Sequence, residues 1–209
     1  MINNNDNKRY TKESFEKIAQ DNGFTYDQLK ALTDARSLSV GFLTSYLPKI
    51  VFFPDVFVDE VRTTGLVDIS EYDLEKDFDP VRYYAEPKKL YKLSYDYNGK
   101  TYTNTYENIN HVLQHEHMED CLNNTIKRLE DDNEANREKL RECSRKAATW
   151  GIGQILGKEF TEAGFEDLTS FINAMYESEE KQLEAFAKYA NAKSISNVED
   201  LNKIGRDVI

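Results

Sequence analysis

The chain has 209 residues, and its 38 Asp and Glu against 27 Lys and Arg give a formal net charge of −11. Such a field repels phosphate backbones and anionic lipid, which excludes free nucleic acid and membrane surfaces as expected partners. The length suits one domain with a real core, and 39% hydrophobic residues with 13 Tyr and 11 Phe exclude a disordered chain.

The opening "MINNNDNKRY" has no apolar core and does not read as a secretory signal. Residues 1–10 are expected to be a disordered tail, and the protein to be made in the cytoplasm. Thr11 and Thr25 then read as helix N-caps, the second with Gln28 in position for a capping box, and "DNGF" between them reads as a helix stop. A helical hairpin over about 11–21 and 26–37 follows.

All four prolines (Pro48, Pro54, Pro80, Pro87) fall in the next stretch, about 48–107, which reads as extended and irregular. "PKIVFFPDVFV" is a short apolar strand or buried segment broken at Pro54. "YKLSYDYNGKTYTNTY" predicts a β-hairpin turning at Asn98-Gly99, with Tyr91, Leu93, Tyr95, Tyr97, Tyr102 and Tyr106 on one face. Such a face stacks sugar rings or packs on the body of the protein.

From about 108 the chain reads as helical and contains no proline. His111 and His115 are spaced i, i+4, near Glu119 and Cys121, but "HVLQH" lacks the glutamate of the H-E-x-x-H zinc motif. A hydrated helix face accounts for the spacing, and no metal is expected. No P-loop, dinucleotide fingerprint or nucleophile elbow is present, so no cofactor is expected either. Two cysteines, Cys121 and Cys143, make no disulfide framework. The charge run "EDDNEANREK" reads as a solvated turn. Near the end, Leu168, Ile172, Met175, Leu183 and Phe186 form a core-facing stripe at helical spacing.

Between those helices stands "ATWGIGQILG", with the single tryptophan and, through Gly164, four of the nine glycines. Glycine costs a helix interior about 1 kcal/mol, so something approaches this backbone closely. Either a ligand does, or a neighbouring helix.

"WGIGQILG" resembles the S-W-G-x-x-Q-I-M-G signature of the N-acetylmuramidase family of phage endolysins and secretion-system effectors, and more distantly the G-L-M-Q-I stretch of lytic transglycosylases. Downstream, "AGFEDLTSFINAMYESEEKQLEAFAKY" resembles that family's G-[YF], F-[VI]-x-x-M and S-E-x-x-Q-L-x-x-F pattern. Upstream, "NGFTYDQLKAL" and "GFLTSYLPKIVFFPDVF" resemble its L-K-A-V helix and its G-F…P-K-I-L-F-E-R-H-x-F segment. These blocks span most of residues 11–190.

The resemblance implies a mainly α, lysozyme-like α+β fold: one muramidase-like domain over 11–209, with an insert at about 60–107 that carries the hairpin. It implies peptidoglycan glycan strands as the partner, lying in a groove lined by Arg36, Ser37, Trp150, Gly151, Gly153 and Gln154. It also implies a chemical loss. The family's catalytic glutamate belongs to an E-S pair five residues before G-F, and counting back from Gly41-Phe42 reaches Arg36-Ser37. Arginine stays protonated and cannot act as the general acid of glycoside hydrolysis. The family's F-E-R-H reads Phe52-Phe53-Pro54-Asp55, and no Y-N-G follows near the C-terminus.

The expectation is a pseudoenzyme that keeps the glycan groove. Arg36 then serves to clamp carboxylates, or lies exposed at a frayed helix end. One alternative is an active hydrolase with a relocated acid. Asp55, Glu60 and Glu179 are the fallback acids, whereas Asp34 points away from Arg36 at about 100° per residue. The other alternative is a non-enzymatic protein-binding module, an inhibitor, immunity-like partner or apparatus component, using the acidic surface or the Tyr-rich hairpin. Contact with the wall implies delivery by phage lysis or a dedicated secretion system.

Overall fold

A computed structural model describes residues 8–43, 45–70, 90–97, 100–107 and 111–204; for 90–97, 100–107, 111–112 and 204 it describes the course of the backbone. Two capped helices come first. Thr11 accepts from Ser14 N at 3.1 Å and starts α1 (Lys12–Asp21). Thr25 and Gln28 close a reciprocal capping box that starts α2 (Tyr26–Ser37). The apolar faces of this hairpin meet through Phe15, Ile18, Leu29 and Leu32, all buried.

Residues 1–7 lie outside the described residues, but Lys8, Arg9 and Tyr10, expected to belong to a tail, are anchored. Lys8 donates to Tyr176 O at 3.0 Å and Tyr10 OH to Ser39 O at 3.0 Å.

The middle segment departs from the extended reading. Ile50–Phe52 is a fully buried strand, β1, but Pro54 does not interrupt it; Pro54 opens a helix, α3 (Pro54–Thr64). Proline is pre-organised for the first helical turn, where its missing N–H has no intrahelical partner in any case. Val56, Phe57 and Val61 then fall on one buried face. Leu90–Tyr97 (β2) and Lys100–Glu107 (β3) pair antiparallel, setting Tyr91 opposite Tyr106 and Tyr95 opposite Tyr102. That register agrees with outward pairing from Asn98-Gly99; the turn itself and the side chains of the hairpin lie outside the described residues.

Two helices follow, α4 (His111–Ile126) and α5 (Glu134–Lys146), the second capped by Asn133. The tryptophan segment is not helical. It is a tight β-unit of β4 (Ala148–Trp150) and β5 (Ile155–Leu156), continued by a 3₁₀ turn at Gly157–Glu159. β4 pairs with β1, opposing Ile50 to Trp150 and Phe52 to Ala148, so the small sheet has the order β1-β4-β5. α4 covers the free edge of β1, because Phe52 N donates to Gln114 Oε1 at 3.0 Å. α6 (Leu168–Glu177), α7 (Glu179–Ala192) and α8 (Val198–Ile204) complete the chain.

A single core cluster joins α1, α2 and α3 to the sheet and to α6 and α7, with Phe52, Phe57, Trp150, Phe171 and Phe186 at its centre. This is a mainly α fold with a small sheet. Among the described residues no helix is long and apolar enough to cross a membrane.

Candidate functional site

The expected site is the place where α2, the loop after it, the tryptophan segment and α7 converge. α7 organises it from one face. Glu179 and Gln182 are spaced i, i+3 and both are about 1% exposed. The Glu179 carboxylate accepts from Gly41 N at 3.0 Å and from Arg9 Nη1 at 3.1 Å. Gln182 Oε1 accepts from Ile152 N at 3.0 Å, while its Nε2 donates to Met175 O at 2.7 Å. One helix face thus pins both loops. Gln182 was not singled out in the sequence, although Ser178-Glu179-x-x-Gln182 placed it beside Glu179 on that face.

What approaches the glycine-rich backbone is the protein itself. A Cβ on Gly153 would overlap the Phe186 ring, one on Gly157 would overlap the Arg145 carbonyl, and one on Gly151 would lie 2.8 Å from Gln182 Cδ. Trp150 is 1% exposed and its Nε1 donates to Arg145 O at 2.9 Å. Gln154 is 5% exposed, and both amide protons are engaged, with Gly151 O at 2.7 Å and Lys49 O at 3.2 Å. Its Oε1 accepts from Thr149 at 3.0 Å. Gln154 also holds a left-handed φ of 46°, three residues after Gly151 at 68°. These side chains fasten the β4–β5 turn to β1. The lining expected of Trp150, Gly151, Gly153 and Gln154 is therefore internal, because their polar groups and close approaches face other parts of the chain.

Ser37 lies on the same junction and donates to Ile152 O at 2.7 Å. Arg36 is not exposed at a frayed end. Its Nε is buried without a hydrogen-bond partner among the described residues, and burial lowers the guanidinium pKa. The opposing influences are the fields of Tyr189 and Glu159. Glu159 carries its own donors, Tyr189 OH at 3.0 Å and Lys193 Nζ at 3.1 Å. Lys193 also pairs with Glu162 at 2.9 Å. Nothing in the sequence pointed to Glu159, since the contact depends on how the 3₁₀ turn is folded back beside α7.

Asp55 is exposed in the first turn of α3, and Glu60 lies 3.7 Å from Lys146. Glu179 braces the Gly41 loop, as described. Asp34 pairs with Lys30 and accepts from Ser39 Oγ at 2.6 Å. His115 turns inward and donates from Nε2 to Pro48 O at 2.8 Å. Cys121 and Cys143 are buried free thiols, the latter pushed by burial up to about 11. Among the described residues no group of three or more His, Cys, Asp or Glu is placed to hold a metal ion.

The N-acetylmuramidase family model matches residues 25–203, and the chain belongs to that family. The fold is similar to that of the endolysin of the Burkholderia phage AP3, with a TM-score of 0.56 at 19% identity. That likeness covers 94% of this chain and 59% of the endolysin, so the chain spans less than two thirds of that protein's length. No curated protein matches the chain.

Proposed function

We propose that this protein engages peptidoglycan as a muramidase-like binding protein and does not hydrolyse the glycan. The observation that carries this reading is the surroundings of Arg36, at the position where the family resemblance puts the general acid. Its side chain has no transferable proton at ordinary pH. Its fixed positive charge also opposes an oxocarbenium-like transition state. The carboxylate whose field reaches it, Glu159, is engaged by Tyr189 and Lys193. Loss of a general acid costs about 10²–10⁴ in rate. The junction of α2, the sheet and α7 is held together internally by Ser37, Gln154, Glu179 and Gln182, which supports a retained family frame around Arg36. Delivery to the wall, by phage lysis or a dedicated secretion system, belongs to the same proposal.

The test is mass spectrometry of soluble products after incubation with isolated Gram-negative sacculi. Arg36→Glu and a muramidase of known activity run beside the unaltered protein. No muropeptides from the unaltered protein, with sacculi retained on it, is the expected result. Muropeptides ending in reducing muramic acid would overturn the reading and direct attention to Glu159. A carboxyl introduced by Arg36→Glu would be desolvated and would lie in the field of Glu159, and both influences raise its pKa. Cleavage by this variant is therefore expected, at a rate below that of the control.

A further inference from the structure

Against the net charge of −11, the residues around Gly41-Phe42 are cationic. Lys8 Nζ stands 5.4 Å over the Phe42 ring. Arg9 is bound to Glu179, the same carboxylate that holds Gly41 N. Lys49 N donates to Gly41 O at 2.8 Å, and Phe42 is bridged to Pro48. Three cations from two segments therefore border one crossing of the chain, and one of them, Arg9, is paired with Glu179.

Among the described residues neither Lys8, whose Nζ donates to Tyr176 O, nor Lys49 forms a salt bridge, and of the two it is Lys49 that is held at the end of α2. Its Nζ donates to Ser37 O at 3.2 Å, and among the described residues no carboxylate forms a salt bridge with it. Burial lowers its pKa, Glu179 raises it from a distance and Arg9 lowers it again. A half-buried ammonium loses hydration, and a carbonyl returns only part of what is lost. Two of its three protons have no acceptor among the described residues. The carbonyl it holds belongs to the residue after Arg36, so this cation is fixed at the edge of the proposed site.

We propose that Lys49, at a crossing of the chain that Lys8 and Arg9 also border, is a carboxylate-binding subsite that takes a stem-peptide carboxylate of peptidoglycan. The inference rests on the peptidoglycan reading above and adds the ligand chemistry. N-acetylglucosamine is neutral, and the lactyl carboxyl of N-acetylmuramic acid is tied up as an amide where a stem peptide is attached, so on peptide-bearing strands the free carboxylates available to the ammonium are those of the stem.

Calorimetry with three soluble ligands tests this: a disaccharide-tetrapeptide muropeptide, the same muropeptide with its carboxylates amidated, and an N-acetylglucosamine oligomer. For the unaltered protein, amidation is expected to weaken binding about tenfold or more. Lys49→Gln should remove that sensitivity and Lys49→Arg should retain it. Equal affinity for native and amidated muropeptide overturns the subsite, as does a sensitivity that persists in a folded Lys49→Gln. The amidation arm uses the unaltered chain, so the result does not depend on how the variant folds. Binding of none of the three ligands overturns the peptidoglycan reading itself. Binding of both muropeptides alike overturns only the subsite.

Discussion

The backbone N–H of Gly41 meets the carboxylate of Glu179 at 3.0 Å, joining the loop after α2 to the first turn of α7 across 138 residues of chain. Glu179 serves two ends here. Placed at the start of α7, its negative charge favours the helix N-terminus, and inward it supplies the acceptor that a buried backbone donor requires. A residue that the sequence offered as a fallback acid is thus tied to the architecture of the loop.

Glu179→Ala should cost about 2–4 kcal/mol, because it leaves Gly41 N–H buried without an acceptor and opens a cavity. Glu179→Gln keeps an acceptor and returns Arg9, 47% exposed at its side chain, to water; it should cost about 1 kcal/mol. Urea denaturation of the two variants checks the order. Equal losses would mean that the charge pair, and not the bond to Gly41, holds the loop.

Gly41→Ala should destabilise by about 3 kcal/mol. An added Cβ would overlap Gln182 Oε1 and lie 2.9 Å from Ile152 Cγ1, so Gln182 must move and release Ile152 N. Gly65→Ala is the contrast. Nothing lies within 4 Å of its Cβ position, and only the left-handed φ of 64° resists, at about 1 kcal/mol. Thermal unfolding of the pair separates crowding from backbone strain; a larger loss at Gly65 would contradict the packing described.

His115 makes stability depend on pH. Burial lowers its folded pKa below the ordinary 6.5, outweighing its bond to Pro48 and the field of Glu119. The unfolded chain therefore binds the proton more readily than the folded one. The contribution is fully present above the ordinary imidazole pKa and is lost as pH falls through the lowered folded value. Denaturant midpoints should accordingly fall between about pH 7 and pH 5. In His115→Gln that slope should be shallower, and an unchanged slope would assign the dependence to other groups.

Much of the frame was legible locally. Thr11 and Thr25 fixed two helix starts because capping is a matter of neighbours three residues apart. The alternation about Asn98-Gly99 gave the register that sets Tyr95 opposite Tyr102. Pro54 misled because proline ends strands and opens helices equally well, and only the buried spacing of Val56, Phe57 and Val61 decides between them. The tryptophan segment misled in a different way. Its glycines announced a close approach, and the sequence left open whether a sugar or the protein made it.

By itself, then, the sequence determined the family, the capped helices and the hairpin register, all of which reside in residue identity and short spacing. The tertiary structure decided what surrounds those residues. The charge of Glu159, in the 3₁₀ turn, reaches Arg36; Gln182 and Phe186 fill the space beside the glycines, and Lys49 is placed without a salt bridge among the described residues. Burial and pairing arise where segments distant in sequence meet, and no local pattern encodes that meeting.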